Sequence, residues 1–272
     1  MVNSMKKVIN GIYGYLLNAY GPQGWWPLTE LHACNGINPT KTGSLRGYHP
    51  GDYSYPKNEN QQFEISCGAL LTQNTSWPQV EKALLNLQDL NALSPEAIIS
   101  IEMKVLKKAI KPAGYFNQKA LRLKVLADWF SDLPKKNFRE NNSRDNHFRE
   151  NNSKEGFPSP DAVPTREELL SLNGVGPETA DSILLYAFKQ PSFVVDTYTR
   201  RILENLGFIN EKTKYEEIKA LFEENLPLNV PMYQEYHALL VEHAKRHYQK
   251  KDMYWKCPLL EFVQSLAGKS KK

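Results

Sequence analysis

The sequence predicts an all-α protein, and three observations support this fold class. Apolar residues recur at helical spacing along most of the chain, and in the first such segment Val8, Ile12 and Leu16 share one face. No segment alternates apolar and polar residues for long enough to form a sheet, since Phe193-Val-Val is too short. The stretch Gly174-Val-Gly-Pro177 has the composition of a tight turn that leads into a helix.

Local signals mark where several of the predicted helices begin and end. Gly21-Pro-Gln-Gly24 interrupts the first helix. Ser76 can cap the third helix and Pro78 suits its first turn, and Ser94-Pro95 is a similar start. In chain order, the predicted helices span residues 5–20, 61–74, 78–89, 95–110, 116–131, 165–172, 177–190, 196–206, 213–225 and 231–249.

Two segments between these helices are predicted to be insertions. Residues 28–60 are rich in Gly, Pro, Asn, Tyr and Thr and lack periodicity, which is typical of a long functional loop. Residues 135–160 contain a near-direct repeat, Asn137-Phe-Arg-Glu-Asn-Asn-Ser143 followed by His147-Phe-Arg-Glu-Asn-Asn-Ser153. This segment is polar and has no hydrophobic stripe, so we predict a solvated, disordered insertion.

Size and composition limit the class of protein. A chain of 272 residues can bury a sizeable core, and 41% hydrophobic residues is typical of a globular protein. No apolar stretch approaches the roughly 20 residues that span a bilayer, and the N-terminus lacks the pattern of a secretory signal. We therefore expect a cytoplasmic protein without membrane contact. The net charge of +4 fits one basic face but does not by itself indicate a partner.

The turn at Gly174 to Gly176 and the acid Asp196 together indicate chemistry on DNA. Backbone N–H groups at a helix N-terminus can bind a phosphate without reading a base. About twenty residues later, Asp196 follows an apolar run and precedes Thr197 and Arg200. A fixed carboxylate can stabilise a cationic sugar or activate water. The alternative is that Asp196 only caps the helix that follows it.

These residues resemble the helix-hairpin-helix DNA glycosylases of the endonuclease III superfamily. The family hairpin reads Leu-Pro-Gly-Val-Gly-x-x-Thr-Ala and its catalytic acid lies in Val-Asp-Thr; Asn173 replaces the usual Pro. A second match is the segment Phe63 to Trp77, which contains Leu-Thr-Gln-Asn-Thr. The matching hairpin and acid positions are Leu172, Gly174, Val175, Gly176, Thr179, Ala180, Val195, Asp196 and Thr197.

The resemblance implies a single glycosylase unit of two helical lobes that flank a cleft. One lobe is expected from about residues 5–60 together with 205–255, and the other from about 61–204. Double-stranded DNA with a flipped, damaged base is the expected partner, and we expect a monomer. The predicted DNA contacts are made by Gly174, Val175, Gly176, Thr179 and Arg200, which position the duplex without reading its sequence.

A second basic contact with DNA is predicted from the run Lys119-Ala-Leu-Arg-Leu-Lys124. Its cations recur along one predicted helix and could reach phosphates. The alternative is an ordinary solvated helix face.

The resemblance also implies hydrolysis without strand cleavage. In bifunctional members a Lys two residues after the second hairpin Gly attacks the sugar and forms a Schiff base. Glu178 occupies that position here and cannot form an imine. We therefore expect a DNA glycosylase of base excision repair without abasic-site lyase activity, with Asp196 as its catalytic residue.

A base pocket is predicted from the match to a bacterial branch of the superfamily, the 3-methyladenine DNA glycosylases. Trp25, Trp26 and Pro27 match the Trp-Trp-Pro of that branch, and 112–120 matches a further segment. The branch holds the flipped base between a Pro and an aromatic residue, which implies Pro27 and Trp77. Such a pocket favours alkylated purines, because a methylated adenine is cationic and stacks well on aromatic rings. The alternative is that these tryptophans belong to the core.

No soluble cofactor is expected. Cys34, Cys67 and Cys257 are far apart, and a four-iron cluster of the kind that many relatives bind needs four thiolates. The branch that lacks the cluster carries a carbamylated Lys, which implies Lys250 here; a plain surface lysine is the alternative. The family hairpin often involves a mono- or divalent metal ion held by backbone carbonyls, but no residue of this sequence specifies one.

Two other functions remain open at the level of sequence. The first is a glycosylase for another lesion, namely uracil, mismatched thymine or an oxidised purine. The second is a non-catalytic helix-hairpin-helix DNA-binding protein, because many proteins use this hairpin only to hold a phosphate.

Overall fold

The structure is a computed structural model and describes residues 2–33, 38, 46–133 and 163–268. Helices account for nearly all of its regular structure. The α-helices of the described residues are α1 (Val2–Tyr20), α2 (Glu59–Leu71), α3 (Trp77–Asp89), α4 (Pro95–Ser100), α5 (Met103–Ala109), α6 (Phe116–Asp132), α7 (Arg166–Ser171), α8 (Pro177–Ser182), α9 (Thr197–Asn205), α10 (Tyr215–Glu223), α11 (Val230–His247) and α12 (Pro258–Gly268).

The all-α prediction is confirmed, because the described ranges contain no strand. The helix predicted at 95–110 was wrong in one respect, since it is divided into α4 and α5. The division occurs where Ile101 and Glu102 adopt extended backbone angles, with ψ of 137° and 135°. The C-terminal helix α12 was not predicted, although Pro258 at its first position and the apolar residues Leu259, Phe262 and Leu266 are typical helix signals.

Helix α11 lies at the centre of one group of helices, and almost every residue from Val230 to Ala244 is buried. It packs against α1 and α9, and α12 also packs against α1. The packing of α12 on α1 is close, because a Cβ on Gly11 would lie 2.9 Å from Leu266 Cδ1. The remaining helices α2 to α8 pack mainly on one another, with α6 against α2 and α4.

Helix α8 continues into a wider turn at Ile183–Ala187, where the helix has π geometry. The Phe188 N–H donates to the Ile183 carbonyl, 3.1 Å away, which is the five-residue spacing of a π turn. Such turns often occur at functional sites. This turn is buried throughout and carries Tyr186, which contacts several of the predicted site residues.

The predicted insertion at 28–60 is more ordered than expected wherever it is described. It begins with a 3-10 helix at Thr29–Ala33, and α2 begins within its last two residues. Two backbone hydrogen bonds attach residues 46–58 to residues 24–28: Leu28 N–H to Gly47 O at 2.9 Å, and His49 N–H to Gly24 O at 3.1 Å. Residues 34–37 and 39–45 of this insertion and the predicted polar insertion at 135–160 lie outside the described residues.

Membrane insertion has no support among the described helices. None of them is both long enough and apolar enough to cross a bilayer.

Candidate active site

The predicted hairpin is formed by the residues between α7 and α8. Gly174 has a φ of +88°, which side-chain-bearing residues rarely adopt, and the Val175 N–H donates to the Leu172 carbonyl at 3.0 Å. The side-chain amide of Gln73 holds the hairpin from outside. It donates to Gly174 O at 2.8 Å and to Thr179 Oγ1 at 2.9 Å. The hairpin is thus attached to the end of α2.

Arg122 of α6 completes this attachment. Its Nη1 donates to Gln73 Oε1 at 2.8 Å, and a Cβ on Gly174 would lie 2.2 Å from its Nε. The cations of the run 119–124 therefore bond within the protein, which argues against their predicted role as a DNA contact. Lys119 is buried and donates to three backbone carbonyls, and Lys124 donates to two. Burial lowers the pKa of Lys119 to about 8.

The two hairpin glycines should respond differently to substitution. Gly174→Ala adds a side chain at positive φ and displaces Arg122, so we expect a loss of about 1–2 kcal/mol in the free energy of unfolding. Gly176 has a φ of −97°, and a Cβ added to it would meet no atom within 4 Å, so Gly176→Ala should fold normally. Urea denaturation and a DNA-binding titration measure both effects.

If the Gly176 backbone approaches a phosphate, Gly176→Ala should weaken binding to duplex DNA at unchanged stability. Equal stability losses for the two variants would contradict this account of the hairpin.

Asp196 is the N-cap of α9 and also faces His237 of α11. Its Oδ1 accepts a hydrogen bond from the Thr199 N–H at 2.7 Å, so the capping role is real. The other oxygen, Oδ2, lies 3.8 Å from Nε2 of His237 on α11. The two alternatives for Asp196 are therefore compatible, because one oxygen caps the helix while the other remains available to the site.

Three tryptophans form an aromatic group beside Asp196. Trp26 is buried, and its ring contacts Trp77 edge to face with centroids 5.5 Å apart. Trp25 is only half-buried and meets the His237 ring edge to face at 5.6 Å. Tyr186 packs against Trp26 at 5.2 Å. The aromatic group is thus continuous from Trp77 to the neighbour of Asp196.

Glycine makes room for this group at one position of α2. A Cβ on Gly68 would lie 2.9 Å from Trp26 Nε1. The indole N–H groups of Trp26 and Trp77 are buried and have no hydrogen-bond partner among the described residues.

For three other predicted site residues, the position in the structure does not by itself indicate a role. Pro27 is buried next to Trp26 in the chain. Arg200 is half-buried and donates to the Thr213 carbonyl at 2.9 Å, which ties α9 to the following loop. Lys250 is exposed after α11, before the 3-10 helix Lys251–Lys256. The roles assigned to these three residues stay predictions.

Glu178, which the sequence places at the hairpin, and Lys245, which the sequence reasoning did not single out, couple to Asp196. Glu178 is an exposed residue, but protein atoms crowd its carboxyl group; this desolvation and the charge of Asp196 raise its pKa to about 7. Lys245 of α11 holds its ammonium 5.9 Å from the Trp25 ring centroid. Burial lowers the pKa of Lys245, and the nearby Glu242 and Asp196 oppose this shift. The site therefore contains a second acid and an amine.

Asp181 is a buried acid whose hydrogen bonds connect the segments that carry the site residues. Its carboxylate accepts hydrogen bonds from Arg166 Nε at 2.8 Å, Ser192 Oγ at 2.6 Å and Tyr215 Oη at 2.7 Å, and Lys219 Nζ lies 3.3 Å away. Arg166 begins the helix before the hairpin, and the Tyr215 oxygen also accepts a bond from the N–H of Val195, next to Asp196. This cluster therefore joins the hairpin to the segment that carries Asp196.

The cysteines do not fit an iron–sulfur cluster. A four-iron cluster needs four thiolates, and this sequence has three cysteines. Cys67 lies in α2 and Cys257 precedes α12, and both are buried. The Sγ of Cys257 lies 3.1 Å from His243 Nε2, so its thiol contacts a histidine.

Comparison with known proteins identifies the family. Residues 67–228 match the family model described as HhH-GPD superfamily base excision DNA repair protein. A protein of Methanocaldococcus jannaschii whose name assigns it to the DNA repair glycosylases is 40% identical over 259 residues, which cover 95% of this chain and 97% of the relative.

Among solved structures, a 3-methyladenine DNA glycosylase of H. pylori bound to 1,N6-ethenoadenine aligns with a TM-score of 0.59 and 25% identity, over 89% of this chain and 97% of that one. A non-covalent endonuclease III–DNA complex has the same fold, with a TM-score of 0.62 and 18% identity over 98% and 99% of the two chains. The resemblance inferred from the hairpin and from Asp196 is thus confirmed, and the chain belongs to the HhH-GPD superfamily of base excision DNA repair proteins.

Proposed function

We propose that this protein is a monofunctional DNA glycosylase that releases a damaged base by hydrolysis, with Asp196 as the catalytic carboxylate. The proposal rests on one observation: the two oxygens of the Asp196 carboxylate have different neighbours. One oxygen is fixed by the Thr199 N–H, and the other lies at the end of the aromatic group that begins with Trp77. A fixed acid beside stacked rings suits a flipped base and its sugar.

The reaction follows from the charge that develops on the sugar. The base leaves with the electron pair of the N-glycosidic bond, and C1′ of the deoxyribose becomes cationic. Asp196 stabilises that cation, and water then adds to C1′ and releases a proton to the solvent. Because Glu178 stands where bifunctional relatives carry their lysine, the hairpin offers no amine to form an imine. The strand should remain intact.

We propose alkylated purines, such as 3-methyladenine, as the substrate class. Trp25 and Trp77 are half-buried and can stack on a base, and a cationic methylated purine gains from such rings. An already cationic base is also a good leaving group, so a single acid suffices. The H. pylori 3-methyladenine glycosylase, at 25% identity, supports this class.

Lys245 favours a second candidate class, the uncharged bases with exposed carbonyl oxygens. Its ammonium lies near Trp25 and can donate to an acceptor on a base, whereas it opposes the binding of a cation. Uracil, mismatched thymine and oxidised purines have such acceptors. Such a base leaves as an anion, stabilised by a hydrogen bond from the Lys245 ammonium, and takes up the proton that the attacking water releases.

A panel of duplexes tests the proposed function. Each duplex carries one lesion, namely 3-methyladenine, 1,N6-ethenoadenine, uracil, a thymine mismatch or 8-oxoguanine, and the free base is measured by chromatography under single-turnover conditions. We expect release of the alkylated purines. Release of uracil alone would favour the second class, and Lys245→Met should then reduce it. Binding of every duplex without release of any base would indicate a DNA-binding protein without catalysis.

Duplex DNA is the proposed partner, and we propose that a monomer acts without an iron–sulfur cluster or soluble cofactor. A sedimentation measurement with and without duplex, together with the iron content of the purified protein, checks these proposals.

The pH dependence of the rate should depend on Glu178. With a pKa of about 7, this carboxyl gains a negative charge as the pH rises from 6 to 8. A second negative charge near Asp196 stabilises the cationic sugar, so the rate should rise across this range. We expect Glu178→Gln to remove most of the rise, as measured by single-turnover rates at constant ionic strength. An unchanged profile in the variant would contradict this role.

A further inference from the structure

His237 is a buried histidine on α11 whose ring is held between two residues of the site. Its Nδ1 lies 2.7 Å from the Tyr186 hydroxyl, and its Nε2 faces Asp196 Oδ2 at 3.8 Å. Nε2 is buried and has no hydrogen-bond partner among the described residues. A buried polar atom without a partner is costly, so its orientation toward the catalytic acid calls for a functional explanation.

The hydrogen bonds of Tyr186 decide which ring nitrogen carries the proton. Its hydroxyl has one proton and two acceptors in reach, His237 Nδ1 at 2.7 Å and the Gln234 carbonyl at 3.0 Å. If the proton goes to Gln234, the neutral ring is protonated at Nδ1, and the lone pair of Nε2 faces a carboxylate in a buried place. If the proton goes to Nδ1, Nε2 carries its own proton and directs it at Asp196 Oδ2. The second arrangement is favoured electrostatically, because it places an N–H proton rather than a lone pair opposite the negative carboxylate.

Burial favours the neutral ring of His237 by lowering its pKa, and the neighbouring charge of Asp196 acts in the opposite direction. Glu235 acts on the Tyr186 hydroxyl, whose pKa burial raises well above its usual range. Glu178 and Lys245, the other titratable groups that couple to the site, act on Asp196 with opposite signs.

We propose that His237 is a positioning residue that holds Asp196 through an Nε2–H directed at Oδ2, with Tyr186 fixing the required tautomer. This inference rests on the proposed function. Oδ1 accepts a hydrogen bond from the Thr199 N–H, and Oδ2 lies 3.8 Å from His237 Nε2, so each oxygen of the carboxylate faces an N–H donor in this arrangement. A neutral donor leaves the negative charge of Asp196 intact for the cationic sugar, whereas an imidazolium would neutralise it.

A double-mutant cycle tests the proposal on whichever lesion duplex the protein cleaves. His237→Leu removes the donor and keeps an apolar side chain, and we expect it to lower the single-turnover rate about ten- to a hundredfold at unchanged DNA affinity. His237→Gln can place an N–H near the same point and should stay within about threefold of wild type. In an Asp196→Asn background, His237→Leu should have less than about a twofold further effect, because the two residues act together. The same fold loss in both backgrounds would overturn the proposal, since a general structural role gives additive losses.

The pH profile separates positioning from packing. If Tyr186 fixes the tautomer, Tyr186→Phe should slow the reaction and shift the acid limb of the rate profile, while His237→Leu abolishes that shift. A Tyr186→Phe profile that superimposes on wild type would count against the proposal.

A measurement that does not depend on catalysis keeps this proposal apart from the proposed function. The imidazole nitrogen resonances of ¹⁵N-His-labelled protein report which nitrogen carries the proton. We expect the Nε2-protonated neutral form for His237 at pH 7. Its resonances are assigned to His237 because they disappear in the spectrum of His237→Leu. A proton on Nδ1 would overturn the positioning role even if the enzyme is active. If no lesion is released but Nε2 is protonated, the proposed function fails while the arrangement of His237 and Asp196 stands.

Discussion

Replacing Asp196 with Asn should lower the rate of base release about 10²- to 10³-fold, because it removes a preorganised charge aimed at the cationic sugar. The stability of the fold should change little. Asn is as good an N-cap as Asp, and its side-chain oxygen can still accept the bond from the Thr199 N–H. The single-turnover rate and the urea midpoint of the same preparation measure the two effects.

Asp196→Ala is the matched control for the capping role. It removes both the charge and the cap, so it should lose the same activity and, in addition, about 1 kcal/mol of stability. A variant Asp196→Asn that releases the base at the wild-type rate would show that the residue only caps α9.

Replacing Asp181 with Asn should have the largest effect on stability, a loss of about 3–5 kcal/mol. The carboxylate is fully buried and pairs with Arg166 and Lys219 while accepting bonds from Ser192 and Tyr215. An amide has the same shape but lacks the charge, and its NH₂ would face donors. Arg166 and Lys219 would lose their buried partner and keep only the more exposed Glu216 and Glu223. The free energy of unfolding from urea denaturation measures the loss.

Glu216→Gln provides the control because it removes the other acid on Arg166. That contact is 2.8 Å long, but the Glu216 side chain is 58% exposed. An exposed pair contributes about 0–1 kcal/mol, so this variant should be close to wild type. Similar losses for Asp181→Asn and Glu216→Gln would contradict the view that buried pairing at Asp181 supports the hairpin.

The parts of the site that were predictable from the sequence are those set by local backbone chemistry. Gly174 is required by its positive φ, and Asp196 precedes a helix whose buried residues Thr199, Ile202 and Leu203 repeat at helical spacing. Such features depend on neighbours within one turn. They also carry the family motif, and for this reason both the hairpin and the acid could be read from the chain.

The rest of the site depends on contacts between distant segments. His237 and Lys245 belong to α11, far beyond Asp196 in the chain, and their side chains lie on a helix that is buried nearly all round. No periodicity distinguishes them from core residues. Gln73 and Arg122 are similar, because their roles appear only once α2, α6 and the hairpin have packed together.

Lys119 shows the limit of reasoning from charge patterns. The run 119–124 reads as a basic helix face, yet the Lys119 ammonium is buried against the end of α2, where it donates to carbonyls of Leu71 and Gln73. A cation near a helix C-terminus complements the carbonyls that lack helical partners. The contact forms because α6 packs against α2.

The central claim is that Asp196 releases a base by hydrolysis without a lysine at the hairpin position that Glu178 occupies. It is tested most directly by incubating a single-lesion duplex with the protein and sodium borohydride and separating the products on a denaturing gel. Glu178→Lys, which restores an amine at the hairpin, is the positive control. We predict that the wild-type protein forms no trapped protein–DNA adduct with borohydride, and that in a parallel reaction without borohydride it leaves an intact abasic strand that only alkali cuts. Glu178→Lys should form the adduct. A borohydride-trapped adduct with the wild-type protein would contradict the claim.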